Sequence, residues 1–202
     1  MTTNKPLLII VSSPSGAGKT TLCKRLLAEF KDIRFSISHT TRAPRSNEVD
    51  GKDYIFTDKD TFDKMVDEEQ FVEWAHVHGN HYGTSHGEIR SAAAQGLDLI
   101  FDVDYQGARQ IKSNYPEAVG VFILPPSIDE LKLRLNARGT ETPESLEQRF
   151  KAALGEIAHF NEFDYILVND EVDDAYDRLR AILLAERIRL PRSGDAAKKL
   201  LE

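Results

Sequence analysis

The chain has 202 residues, 41% of them hydrophobic and 29% charged, with 33 acidic against 26 basic side chains and a net charge of −7. That balance argues against a broad nucleic-acid-binding face, which needs clustered positive charge. No apolar run approaches the ~18 residues of a membrane span, and the lone Cys23 cannot form an internal disulfide, so a soluble protein of the reducing cytoplasm is expected.

The first element is Leu7–Val11, a continuous apolar run suited to a strand buried on both faces. "SSPSGAGKTT" follows at 12–21, close to the phosphate-binding pattern G-x-x-x-x-G-K-[ST] but with Ser13 in place of the first glycine. Pro14 already holds the residue before it extended, so a non-glycine is tolerable there. Ser13, Pro14, Ser15, Gly16, Ala17, Gly18, Lys19, Thr20 and Thr21 are therefore the expected ATP-binding stretch. The amides of Ser15 to Thr20 would wrap a β-phosphate at the start of a helix predicted over 19–30. Lys19 would reach the β- and γ-phosphates, and the Thr20 hydroxyl suits Mg²⁺. Cys23 reads as a small buried residue of that helix.

Ile33, Phe35 and Ile37 alternate with polar neighbours and predict a second strand. The polar stretch 38–58 then reads as a loop of about twenty residues, a length that is usually functional inside a compact domain. Asp50-Gly51 marks a tight turn within it. Arg42 and Arg45 in this loop, with the hydroxyls of Tyr54 and Tyr82, suit a second phosphate, because guanidinium forks match phosphate oxygens bidentately. His76, His78, His81 and His86 cluster further on, but no cysteine joins them as a ligand. Leu97–Val103 predicts a core strand whose Asp102 and Asp104 lie two apart on one side. Either serves a metal beside the phosphate loop or caps the helix predicted over 105–114. Ala118–Leu124 and Tyr165–Val168 are further core strands. Between them, 127–150 reads as two short polar helices. Ser127 with Glu130 opens the first and Thr142-Pro143-Glu144 opens the second. Arg134 and Arg138, four apart, share a helix face, and Arg149 can converge with them. A helix over 171–189 closes the pattern. Alternating apolar runs and amphipathic stretches predict an α/β P-loop NTPase fold, a five-stranded parallel core sheet flanked by helices.

In order and spacing, "SPSGAGKTTL", "SISHTTRAPRSNEVDGKDYIF", "FVEWAHVHGNHYGTS", "FDVDYQGA", "FILPPS", "RLNARGTETPESLEQRF" and "DYILVND" resemble the guanylate kinase family over essentially the whole chain. The resemblance implies one domain, 1–202, with a core of 1–36, 93–126 and 151–202, a GMP-binding insertion of 37–92 and a lid of 127–150. It implies that Ser38, Glu73, Thr84 and Asp104 read guanine, and that Arg42, Arg45, Tyr54 and Tyr82 hold the GMP phosphate. Lys19, Arg134, Arg138 and Arg149, with Arg42, would serve the transferring phosphoryl group. Asn169 would contact the adenine of ATP, and Asp102 would meet Mg²⁺ through water. The base assignment is chemically coherent: a carboxylate accepts from guanine N1–H and N2–H₂, while hydroxyls donate to O6. Adenine would leave those carboxylates unpaired. A phosphopeptide-binding module of scaffold type, or a kinase for another nucleotide, is the alternative. The expected partners are ATP and GMP, with no nucleic acid or membrane. The long C-terminal helix is a candidate surface for a homo-oligomer.

Overall fold

The computed structural model describes residues 5–77, 79–136 and 143–201. In chain order it contains β1 (Leu8–Ser12), α1 (Lys19–Glu29), β2 (Ile33–Phe35), β3 (His39–Thr40), β4 (Ile55–Phe56) and α2 (Lys59–Asp67). Then follow β5 (Phe71–Val77), β6 (Asn80–Ser85), α3 (His86–Gln95), β7 (Asp98–Asp102) and α4 (Tyr105–Asn114). The chain continues through β8 (Val119–Leu124), α5 (Ile128–Asn136), α6 (Pro143–Ile157), β9 (Tyr165–Val168), α7 (Val172–Arg187) and α8 (Leu190–Lys198).

The core is a five-stranded sheet in the order β2-β7-β1-β8-β9, parallel throughout. Every residue of β1 is buried, which is why this run is uniformly apolar up to Ser12. One face of the sheet packs Ile9, Val11, Val121 and Ile123 against Leu22 and Leu26 of α1 and Leu179 and Leu183 of α7. The other face packs Leu8, Ile10 and Phe101 against Ile89 of α3 and Ile111 of α4. The connections leave β1 first toward β7 and β2 and later toward β8. The carboxyl ends of β1 and β7 therefore border the crevice where ligands bind in such sheets.

The stretch 38–58 is not a simple loop. It contributes β3 and β4 to a second sheet, ordered β4-β3-β6-β5, in which β3 pairs with β4 in parallel and with β6 antiparallel. These two-residue strands are too short to show a period in the sequence. Asp58 caps α2 by accepting from the Thr61 amide at 2.8 Å, and Ser85 caps α3. Ile37 lies outside β2 and sends its amide to Glu88 instead.

Two helix expectations also change. Ser127 does cap α5, accepting from the Glu130 amide at 3.1 Å. The second helix of that region is not short: α6 has 15 residues and buries Ala153 against Leu131 and Leu135. Its apolar positions, not its polar ones, set its length. The C-terminal helix ends at Arg187, and α8 restarts with Pro191 in its first turn, where a missing N–H costs nothing. No helix among the described residues is long and apolar enough to cross a membrane.

Candidate active site

The loop after β1 is shaped by two glycines. Gly16 and Gly18 both have φ of 93°, a left-handed conformation that other residues adopt only with strain. Gly18 is also the N-cap of α1, so the loop delivers its amides to the positive end of that helix. Pro14 is buried and its carbonyl accepts the Ala17 amide at 3.1 Å, closing the turn behind Ser15. Thr20 and Thr21 are exposed at the start of α1.

Three neighbours brace this loop. Val11 and Asp102 are register partners on β1 and β7, which brings the Asp102 carboxylate to the Lys19 ammonium as an ion pair. Asn169, only 2% exposed at the end of β9, donates Nδ2 to the Ala17 carbonyl at 2.7 Å. A Cβ on Gly18 would lie 2.2 Å from that same nitrogen, so the second glycine is a steric requirement as well as a dihedral one. Arg149, on α6, donates to Ser15 Oγ at 2.8 Å. Arg134, on α5, pairs with Glu130 at 2.7 Å and reaches the Asn169 carbonyl at 3.1 Å. Arg138 lies outside the described residues, as do His78 and Thr142.

Asn169 is thus turned under the phosphate loop, and its Oδ1 is buried without a partner. Glu156 on α6 is a further group that the sequence did not flag. Burial pushes its carboxyl above the ordinary carboxylate value, while the Ser15 amide and Lys19 draw it down. Nothing in the local pattern around Glu156 distinguishes it from a solvated helix acid.

The second sheet carries the other polar cluster. The Glu73 side chain is 7% exposed, and its Oε1 accepts from the Thr84 amide at 3.0 Å and the Thr84 hydroxyl at 2.7 Å. Ser38 Oγ lies 3.1 Å from Thr84 Oγ1. Burial raises the Glu73 carboxyl above its usual range, Thr84 opposes this, and the Asp104 charge adds to it. Asp104 also accepts from the Gly107 amide at 2.9 Å and so caps α4: it is a helix cap and a neighbour of Glu73 at once. Asp98 lies at the far end of β7 and holds the Leu7 amide at 2.7 Å and Arg187 at 2.8 Å.

Arg42 lies near Tyr54, 5.4 Å from its ring centre, and Tyr54 and Tyr82 meet edge-on at 6.0 Å. Its guanidinium is clasped by Glu48 through both oxygens, at 2.7 and 2.9 Å, and Glu48 also accepts the Arg45 amide at 2.8 Å. This carboxylate is the residue that sequence reasoning missed here. Arg42 and Glu48 are six apart in an irregular loop, where no period links them. A cleft of about 250 Å³ lined by Ser36, Ser38, Tyr54 and Asp102 joins this cluster to the β7 end. Larger cavities lie elsewhere, about 510 Å³ between α5 and α6 and about 670 Å³ beside Glu186, but no phosphate-loop residue lines either.

The described histidines have other partners. His81 stacks on Phe62 at 5.2 Å, and His86 Nδ1 meets the Tyr115 hydroxyl at 2.9 Å. Among the described residues no group of three or more His, Cys, Asp and Glu side chains is placed to hold a metal.

A lysine-bearing phosphate loop on a parallel sheet, with a polar cleft between the end of β7 and an appended sheet, is the arrangement of P-loop nucleotide kinases. A family model described as "Guanylate kinase" matches residues 5–186. A guanylate kinase of Geobacter metallireducens is 50% identical over 183 residues, covering 91% of this chain and 90% of that protein. One from Caldanaerobacter subterraneus is 44% identical over 196 residues, with 97% and 95% covered. The crystal structure of guanylate kinase from Anaplasma phagocytophilum superimposes with a TM-score of 0.71 at 32% identity, covering 94% of this chain and 90% of that one. The chain belongs to the guanylate kinase family and is a nucleoside monophosphate kinase.

Proposed function

We propose that the chain transfers the γ-phosphoryl group of ATP to GMP, giving ADP and GDP. The observation that carries this reading is the buried Glu73 carboxylate. One of its oxygens takes both Thr84 bonds, and the other takes neither, so it suits the N1–H and N2–H₂ donors of guanine. The Ser38 hydroxyl stands beside it as a donor toward O6, with Thr84 committed to Glu73, and Asp104 supplies a second negative charge. A buried carboxylate left unpaired by adenine or a pyrimidine is a strong discriminator.

In this reading 37–92, with the second sheet and α2, is the GMP-binding insertion, 127–150 forms the lid, and the five-stranded sheet belongs to the core. Arg42, Arg45, Tyr54 and Tyr82 would hold the GMP phosphate, with Arg42 exchanging or sharing its Glu48 partner. The acceptor oxygen of a phosphate monoester is already anionic near neutral pH, its second pKa being about 6, so no general base is required. The task of the protein is to bring two anions into line and neutralise them. Lys19 and the loop amides take the β/γ end of ATP. Arg134, Arg138 and Arg149 would serve the transferring phosphoryl group from the lid, whose closure would exclude water. Asn169 is the residue assigned to the adenine side.

Thr20 and Asp102 fit Mg²⁺: both are exposed oxygen donors at the phosphate loop, and this ion is commonly held by few protein groups and mostly by phosphates and water. When bound it would neutralise negative charge on the β- and γ-phosphates. Lys19 would then leave Asp102 for the phosphates. Purine nucleotide recycling in the cytoplasm is the setting that fits this reaction. A coupled assay comparing GMP, AMP and dTMP as acceptors with ATP tests it. Turnover of GMP at least about a hundredfold above the other two is expected. Equal rates, or none with GMP, would overturn the reading.

A further inference from the structure

We propose that Glu88 is a positioning residue: a clasp that fixes the guanine-reading pair Ser38–Thr84 by tying together the two crossings between the core and the second sheet. The inference rests on the GMP-binding reading of that sheet.

The outgoing crossing leaves β2. Ser36 is still anchored to the core, its amide donating to the Ile100 carbonyl at 2.9 Å. Ile37 is the next residue, and its amide has left the core sheet for Glu88 Oε1 at 2.7 Å. Ser38 follows immediately, with its hydroxyl already in the guanine cluster. The returning crossing runs from Thr84 through Ser85 into α3. Ser85 Oγ accepts the Glu88 amide at 3.3 Å, so Glu88 is fixed by its backbone to the residue after Thr84. Its side chain reaches across to the other crossing, where the same Oε1 also accepts from Arg34 Nη1 on β2.

A single buried carboxylate, 8% exposed, therefore joins the core strand, the residue before Ser38 and the helix that follows Thr84. A charged acceptor makes stronger hydrogen bonds than a neutral one, and a buried amide left without its acceptor is costly. The clasp adds to the β3–β6 pairing, which sets His39 opposite Gly83, in holding the Ser38 and Thr84 hydroxyls 3.1 Å apart. His39, next after Ser38 and first in β3, packs edge-on against Phe71 at 5.6 Å. It adds a second rigid contact just beyond the crossing.

Glu88 touches neither nucleotide in this account, so its removal should weaken GMP selectively. In full-length protein, Glu88→Ala is expected to raise KM for GMP about tenfold and to lower kcat no more than about threefold, leaving KM for ATP unchanged. Glu88→Gln keeps an oxygen for the Ile37 amide but loses the charge toward Arg34. It should recover most of the loss, at about threefold in KM for GMP. A merely structural role would shift both KM values in step with thermal stability, which circular dichroism would record. If Glu88→Ala does not fold, Glu88→Gln carries the test by the same split between GMP and ATP. Unchanged KM for GMP in the folded variants, or parallel rises for both nucleotides, would overturn the clasp. Failure of the wild-type chain to turn over GMP would overturn the functional reading instead.

Discussion

Asn169 Nδ2 holds the Ala17 carbonyl at 2.7 Å, so the last strand of the core sheet fixes the bend of the phosphate loop. The bond is buried and joins residues far apart in the chain, a geometry in which losing one partner strands the other. Replacing Asn169 by Ala is expected to raise KM for ATP about tenfold, read from steady-state kinetics, with KM for GMP little changed. Asn169→Asp should be worse, because a carboxylate turned toward the Ala17 carbonyl sets acceptor against acceptor. Gly18→Ala should resemble the Asp variant, since its Cβ would lie 2.2 Å from Asn169 Nδ2 at a φ of 93°. A double variant, Gly18→Ala with Asn169→Ala, relieves the contact but not the dihedral strain, so it should recover only part of the activity.

Lys19 and Asp102 neutralise each other across the end of the core sheet, and the proposed reaction would draw the ammonium to the phosphates and the carboxylate to Mg²⁺. Lys19→Met removes the charge that would follow the transferring phosphoryl group. A fall in kcat of at least about a thousandfold is expected, with the protein still folded by circular dichroism. Asp102→Asn should leave Lys19 free and ATP binding nearly intact, while raising the Mg²⁺ concentration for half-maximal rate about tenfold. Equal Mg²⁺ dependence in wild type and variant would remove Asp102 from the metal's surroundings.

The middle of the parallel core was legible because β1, β7 and β8 are largely buried on both faces and so read as continuous apolar runs, whereas the edge strands β2 and β9 leave part of one face open. The phosphate loop was legible because Gly16, Gly18 and Lys19 carry its physics, whatever stands at position 13. The braces were not. Glu48 meets Arg42 within an irregular loop, Glu88 meets Ile37 across 51 positions, and Asn169 meets Ala17 across 152. Such pairs are set by tertiary closure, and no local period announces them. The true length of α6 escaped for a related reason, since the contacts that hold it, Ala153 on Leu131 and Leu135 and Arg149 on Ser15, lie on other elements.

Arg149 on α6 donates to Ser15 Oγ at 2.8 Å and so ties that helix to the phosphate loop. Ser15→Ala should remove that contact while keeping the backbone amide and the Arg149 charge. A loss of no more than about threefold in kcat is expected. Arg149→Ala removes the charge as well and should cost about a hundredfold in kcat, with KM for GMP nearly unchanged. Similar losses in the two variants would mean that Arg149 only braces the loop.

Glu73 gives a prediction in which stability and function part company. Burial is the largest influence on its carboxyl and raises its pKa above the ordinary 4.5. A carboxyl that is harder to ionise folded than unfolded destabilises the fold once charged: stability is greatest below the unfolded value and declines as pH rises through the folded one. Above that window the ligand-free protein carries the full cost of a buried charge facing Asp104. Glu73→Gln keeps an oxygen for both Thr84 donors and removes the charge. Its melting temperature should therefore exceed wild type by about 2–4 °C at neutral pH, and the gain should disappear as pH falls below about 4.5. The same substitution takes away the acceptor charge for guanine and turns an amide N–H₂ toward its donors, so GMP affinity should fall at least about a hundredfold by calorimetry. Differential scanning calorimetry across this pH range checks the first half. A variant less stable than wild type at neutral pH would mean that the Thr84 bonds, not burial, govern this carboxylate.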